Sequence, residues 1–235
     1  MSLPVLEIFG PTVQGEGMVI GRKTCFVRLA GCDYQCSWCD SKFTWDGSTK
    51  ATAMSAEAIL ATLQQLHNDQ VDHITISGGN PALHKELSAL VALLQTHGFT
   101  VAIETQGSKW NDALLLMDEI TLSPKPPSSG MDTDFALLSL IIDKLRGRNV
   151  SLKIVIFNET DLHYATDIHK RYPELPLFLQ VGNDKTDDPD EHTMASYLLH
   201  KYSELVEQVM QSQQLKNVRV LPQLHALLWG NRRGV

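Results

Sequence analysis

The side chains with the most chemistry in this chain are four cysteines, Cys25, Cys32, Cys36 and Cys39, all within the first 39 of 235 residues. A disulfide framework would spread its partners along the chain. Tight clustering reads instead as ligation of a metal or an inorganic cluster. Cys25 sits in the β-branched and aromatic run TCFVRL, which reads as a strand with a small buried hydrophobe. The other three form C-x-x-x-C-x-x-C in GCDYQCSWCD. Three thiolates this close can wrap one soft centre. Structural zinc takes four ligands, yet no histidine falls between Cys25 and His67, and the usual second C-x-x-C pair is missing. An electron-transfer iron–sulfur cluster also uses four cysteines. Three cysteines on four irons leave one iron open, and an open iron can bind and activate a substrate.

Other polar groups recur just after apolar runs: Ser77-Gly78-Gly79-Asn80-Pro81, Glu104-Thr105-Gln106-Gly107, Ser123-Pro124-Lys125 and Gln180-Val181-Gly182-Asn183. The paired glycines let a ligand approach the backbone. Taken singly, each segment is an ordinary turn. Four polar strand ends in a row are what a cofactor cleft requires. Segment 8–17, IFGPTVQGEG, offers a glycine-rich backbone, an amide and a carboxylate. That set suits a heterocycle with hydrogen-bonding edges. Arg28, four residues before Cys32, carries a planar fork that matches a carboxylate.

These groups need a scaffold, and the periodicity predicts one. Residues 55–67 read as a helix capped by Ser55, with Ile59, Leu60, Leu63 and Leu66 on one face. Further helices are predicted over 83–94, 135–145, 162–171 and 191–213. Strands are predicted around Cys25 and over 71–77, 99–103, 120–122, 150–157, 177–180 and 218–221. Segment 8–17 is expected to be a loop before the first strand. Alternation of strands and helices means βαβ units and a parallel sheet, doubly wound or barrelled, with chemistry at the C-terminal strand ends. We expect one domain over 1–235, with a cluster loop at 32–41. The 20 Lys+Arg against 27 Asp+Glu give a net charge of −7, which argues against direct nucleic-acid binding. No apolar run approaches the ~20 residues of a membrane span. MSLPVLEIFG lacks a basic segment followed by an apolar one. A cytoplasmic protein without a membrane partner is expected.

The cysteine spacing, with Trp38 before the last cysteine, resembles the radical S-adenosylmethionine (SAM) enzymes. Gln-Gly-Glu-Gly, Phe-x-Arg-Leu-x-Gly-Cys, Cys-Asp-Ser, Ser-Gly-Gly-Asn-Pro, Glu-Thr-x-Gly and Ser-Pro-Lys, in that order, resemble the 7-carboxy-7-deazaguanine synthase family. The resemblance implies an α/β fold, an incomplete (β/α) TIM-like barrel. It implies that Cys32, Cys36 and Cys39 hold a [4Fe–4S] cluster whose fourth iron is chelated by SAM. One electron then splits SAM to a 5′-deoxyadenosyl radical, and cofactor and cluster carry the radical step. The implied reaction takes hydrogen from C6 of 6-carboxy-5,6,7,8-tetrahydropterin. The ring contracts, ammonia leaves and 7-carboxy-7-deazaguanine forms, on the route to queuosine in tRNA and to other 7-deazapurines.

Carried over residue by residue, Trp38, Cys39, Asp40, Gly79, Ser123, Pro124, Lys125 and Gln180 match SAM contacts. Val13, Gln14, Gly15, Glu16, Arg28, Ser77 and the C-terminal Val235 match substrate positions. Ser41 matches the Mg²⁺ position, where a Thr is also usual, and a hydroxyl oxygen suits so hard a cation. Asn80 stands where radical SAM enzymes carry Glu, so Gly79 is carried over and Asn80 is not. His225 lies near the loosely matched tail. The resemblance further implies an external reductant, flavodoxin or ferredoxin, and a homodimer.

Two other readings compete. A glycyl-radical-enzyme activating protein shares the cysteine spacing but acts on a protein backbone. Gln-Gly-Glu-Gly and Arg28 argue instead for a small carboxylated heterocycle. A zinc or electron-carrier module would not cleave SAM.

Overall fold

Aliphatic and β-branched stretches alternate with helical ones along most of this chain, and the strands line up side by side. The computed structural model describes residues 2–67, 70–186 and 191–235. In chain order the strands are β1 (Leu3–Val13), β2 (Lys23–Leu29), β3 (Thr52–Met54), β4 (His73–Gly78), β5 (Thr100–Thr105), β6 (Glu119–Leu122), β7 (Val150–Ile156), β8 (Leu177–Val181) and β9 (Val218–Leu221). They form one sheet in the order β3-β1-β2-β4-β5-β6-β7-β8-β9. From β2 to β9 every neighbouring pair is parallel. The helices α1 (Ala56–His67), α2 (Leu87–Thr96), α3 (Phe135–Lys144), α4 (Glu159–Arg171) and α5 (Glu191–Gln211) return the chain between strands, and α6 (Leu224–Trp229) follows the last. Edge strands β3 and β9 do not pair with each other. This is the incomplete α/β barrel that the resemblance implied.

Alternation along each strand separates two environments. Val27 and Leu29, Ile74 and Ile76, Val101 and Ile103, and Leu152 and Ile154 join one apolar core. From the helices, Leu63, Leu90, Ile141, Ile168 and Leu205 pack into the same core. The intervening residues face the other way and are largely polar: Arg28, Thr75, Ser77, Glu104, Thr121, Lys153 and Gln180. Burial of the aliphatic face supplies the folding energy. The polar face becomes the lining of the barrel.

The structure corrects several sequence expectations. Most of segment 8–17 is not a loop: residues through Val13 belong to β1, the longest strand, antiparallel to β2. Gly10-Pro11 hides it, because proline cannot donate to the ladder. The register shifts between Phe9 and Thr12, where that dipeptide lies. Strand β3 is too short and too exposed to show an alternation. The helix predicted from residue 83 starts at Leu87, because Pro81–Leu83 is a separate short turn capped by Asn80. Helix α4 starts earlier than predicted, with the Asn158 side chain accepting from the Asp161 N–H. Helix α6 was missed in the tail. No helix among the described residues is long and apolar enough to cross a membrane.

Where β2 and β4 run out, the backbones meet at Gly78, with φ +136°. A Cβ there would lie 2.1 Å from the Leu29 carbonyl oxygen and 2.6 Å from the Leu29 nitrogen. Neither atom can swing aside, and the dihedral itself disfavours any side chain. Gly78→Ala is therefore expected to cost more than the ~1 kcal/mol typical of point substitutions. A urea midpoint indistinguishable from that of the unsubstituted protein would contradict this packing.

Candidate active site

The cysteine loop leaves the end of β2 and is held from two sides. Gly31 donates to the Thr44 carbonyl (2.8 Å) and its own carbonyl accepts from the Asn80 N–H (2.8 Å). A Cβ on Gly79 would sit 2.2 Å from the Gly31 oxygen and 2.8 Å from the Cys32 Cβ, so only glycine lets the loop lie this close. Gln106 Nε2 donates to Cys32 Sγ at 2.9 Å. On the other side, Ser37 donates to the carbonyls of Ser129 (3.0 Å) and Ser128 (2.8 Å), and Trp38 Nε1 donates to Ser128 Oγ (2.9 Å). Asp161, buried at the start of α4, accepts from the Ser128 and Phe157 N–H groups. The Phe157 ring lies 4.8 Å from that of Trp38. The barrel thus grips the loop on both flanks.

Burial pushes all three thiols up, Cys36 to about 11, although the Lys125 ammonium beside them pulls the other way. Soft-metal loading must therefore release protons. A tetrahedral zinc site needs sulfurs about 3.8 Å apart, from its ~2.3 Å bonds. Among the described residues the donor group within 4.8 Å is Glu16, Asp40 and His225, not the three cysteines. Three thiolates on one loop, with no fourth cysteine or histidine in it, are the donor set of a cluster that keeps one iron open. Cys25 is fully buried on β2 among core residues and stays out of it.

The cluster loop forms one wall of a cavity enclosing about 280 Å³. Cys32, Cys36, Trp38, Cys39, Asp40 and Ser41 line that wall, and Gly79, Ser123 and Lys125 continue it at the strand ends. Val13 at the end of β1 and Gln14, Gly15 and Glu16 just after it face that wall, with Arg28 and Ser77 between and Val235 at the rim. Ser77 Oγ is buried and has no partner within the protein. Pro124 and Gln180, also singled out from the sequence, do not line the cavity. Both amide atoms of Gln180 are buried and unpartnered.

The floor is a polar network that joins Gln14, Glu16 and Glu104 to Lys153 and Gln223, two residues not singled out from the sequence. Lys153, inward on β7 with its side chain 5% exposed, pairs with Glu16 and lies 3.5 Å from Glu104. Gln14 Nε2 donates to Glu104 (3.3 Å), and Gln223 Nε2 donates to Glu16 (2.9 Å). Burial opposes ionisation of Glu16, but Lys153, His225 and the hydrogen bonds from Lys153 and Gln223 win and hold its carboxyl far below the usual range. Glu104 goes the other way: burial, reinforced by the Glu16 charge, raises it despite Lys153. Burial also opposes the Lys153 charge, yet the two carboxylates raise its pKa above normal. Helix α6 completes this corner. The Leu224 N–H donates to the Gly15 carbonyl (3.1 Å), and His225 Nδ1 lies 4.0 Å from Glu16. A second cluster sits at the rim. Glu7 accepts from Arg28 Nη1 (2.6 Å) and Arg233 Nε (2.8 Å), while both guanidinium groups lie over the Phe43 ring.

Comparison with known proteins decides the family. The profile of the Radical SAM superfamily matches residues 27–124. The 7-carboxy-7-deazaguanine synthases of Bacillus cereus and Bacillus subtilis are 55% and 56% identical to this chain, each over all of it and 99% of the relative. The chain belongs to the 7-carboxy-7-deazaguanine synthase family. The crystal structure of QueE from Escherichia coli shares its fold, with TM-score 0.71 and 24% identity over 95% of each chain. Within this synthase family scaffold, the residues that sequence reasoning passed over are Lys153, Gln223 and Arg233. Lys153 left a readable signal, a lone cation inside the apolar run VSLKIVI. Gln223 and Arg233 left none, because only the fold of the tail carries them to the cavity.

Lys153→Met would leave two buried carboxylates facing each other without a cation. Breaking such a pair costs about 3–5 kcal/mol. With Lys153 gone, Glu104 rises further, and a raised carboxyl favours the folded state at low pH and loses that contribution as pH climbs through its folded value. The stability deficit against the parent should therefore shrink as pH falls from about 8 to about 5. Urea titrations at both values check this, and a pH-independent deficit would refute it.

Proposed function

We propose that this chain is a radical SAM enzyme that converts 6-carboxy-5,6,7,8-tetrahydropterin to 7-carboxy-7-deazaguanine. The observation that carries the reading is one cavity in which the three cysteines face Gln14, Glu16 and Arg28, in a chain of the synthase family. When bound, the cluster and SAM supply the deoxyadenosyl radical that takes a hydrogen atom from the substrate. The protein's own residues bind, orient and enclose.

In this reading Cys32, Cys36 and Cys39 hold the cluster. The wall made by Trp38, Asp40, Gly79, Ser123 and Lys125 holds SAM, with Pro124 and Gln180 shaping it from behind. Val13, Gln14, Gly15 and Glu16 read the amide and amine edge of the pterin, and partnerless Ser77 Oγ finds an acceptor or donor there. Arg28 takes the substrate carboxylate, and Val235 closes the rim. Two guanidinium groups share the Glu7 carboxylate, which makes this corner suited to an anion. Ser41 would hold Mg²⁺, a hard cation that takes oxygen ligands. The Ser41 hydroxyl and Asp40 carboxylate, 3.0 Å apart, have the donor chemistry for it. We read the whole chain as one domain, working as a homodimer and reduced by a flavodoxin or ferredoxin. Its product would feed tRNA modification.

One anaerobic assay tests the reading. The protein is reconstituted with iron and sulfide, then given reductant, SAM, Mg²⁺ and 6-carboxytetrahydropterin. 5′-Deoxyadenosine and 7-carboxy-7-deazaguanine are read by mass spectrometry. Both products are expected from the parent and neither from Cys36→Ala. Arg28→Ala should keep SAM cleavage while KM rises or turnover falls. Deoxyadenosine without the deazaguanine in the parent would keep the radical SAM core and reject the substrate.

A further inference from the structure

Asn80 occupies the third position of the Gly-Gly-Asn-Pro segment and is completely buried. A side-chain amide has two N–H donors and an oxygen with two lone pairs. All four are in use. Asn80 Nδ2 donates to Asp33 Oδ1 (2.8 Å) and to Ser108 Oγ (3.0 Å). Its Oδ1 accepts from the Ala82 N–H (3.2 Å) and from Thr105 Oγ1 (2.7 Å). No capacity is left for a ligand. The bonds join three segments: the turn after β4, the end of β5 and, through Asp33, the cysteine loop one residue after Cys32. The Asn80 N–H adds a second tie to that loop, at the Gly31 carbonyl (2.8 Å).

We infer that Asn80 is a positioning residue that clamps the cysteine loop to the barrel through Asp33 and does not itself contact SAM. The inference rests on the assignment of Cys32, Cys36 and Cys39 as cluster ligands, and not on the identity of the substrate. Polarity is the essence of the clamp. Of its four partners only Asp33 is acceptor-only. The Ala82 N–H and Thr105 hydroxyl already donate, and the Ser108 hydroxyl can turn to donate. A carboxylate of the same shape at position 80 would satisfy those three groups and repel Asp33 alone. Exchanging the two residues would rebuild the same bond with donor and acceptor reversed.

The test uses Asn80→Asp, Asp33→Asn and the double exchange, in the apo protein and after iron–sulfide reconstitution. Alkylation of each cysteine under reducing conditions is timed by peptide mass spectrometry, with buried Cys25 as an internal reporter of global unfolding. Asn80→Asp should speed Cys32 labelling about tenfold, the scale of one lost charge-assisted hydrogen bond, and lower iron per chain. Cys25 labelling should not move. Asp33→Asn should stay within about twofold of the parent, because the exposed amide can rotate to accept. The double exchange should return Cys32 labelling and iron to within about twofold. Parent-like labelling in Asn80→Asp would overturn the inference. So would a double exchange no better than Asn80→Asp, or Cys25 labelling that rises with Cys32. None of these readouts needs the pterin, so failure here is distinct from failure of the substrate assignment.

Discussion

A cation buried inside a half-open barrel sets the terms for the rest of this structure. Lys153 projects from β7 into the barrel, where an unpaired ammonium would be prohibitive. It is tolerated because Glu104 on β5 and Glu16 after β1 converge on it. This demand reaches across the molecule. Glu16 comes from the segment joining the antiparallel strand β1 to β2, and the Gly17–Val19 turn beyond it touches β6, β7 and β8. The lysine therefore draws the N-terminal segment over the sheet, and Gln223 and His225 follow from the C-terminal side. A sheet that never closes by hydrogen bonds is closed at one end by charge.

The same network divides labour between two carboxylates. Glu16 has the closer cation and the amide of Gln223, so it stays ionised. Glu104, more weakly paired and beside another negative charge, holds its proton more strongly. One fixed acceptor and one more readily protonated group, both at the cavity floor, suit a heterocycle that offers donors and acceptors on one edge. The opposite wall has other requirements. There, backbone hydrogen bonds, missing Cβ atoms and the Trp38–Phe157 contact hold the loop that carries the three thiols. Directional order comes from hydrogen bonds on one side and steric exclusion on the other.

The legible part of this molecule was periodic. Each predicted parallel strand lies where aliphatic residues alternate, and Ser55, at 3.2 Å from the Ala58 N–H, caps α1 as its position suggested. The cysteine trio was readable because ligand spacing is a local property. Most of the wall facing the cysteines was readable only as a resemblance, since Gln-Gly-Glu-Gly has no periodicity. Strand β1 escaped because Gly10-Pro11 interrupts its pattern in the middle. Helix α6 and Arg233 escaped because nothing local in HALLWGNRRGV says which cavity it will border. Lys153 was visible as a charge in an apolar strand, but its meaning needed the partners, which lie 49 and 137 residues away.

Those distances explain why the tail matters to a site built mainly from the first half of the chain. Glu7 on β1 is held by Arg28 from the neighbouring strand and by Arg233 near the C-terminus. Arg233 lies 3.5 Å above the Phe43 ring, just past the cysteine loop. One carboxylate between two guanidinium groups fixes their orientation without cancelling their charge. An arginine alone on a strand would sample many rotamers at an entropic cost on binding. Here Glu7 and Phe43 hold the fork before any anion arrives. The first strand, the cysteine loop and the last residues of the chain thus meet at one corner. Selectivity for a carboxylated ligand would come from that preorganisation as much as from the charge itself.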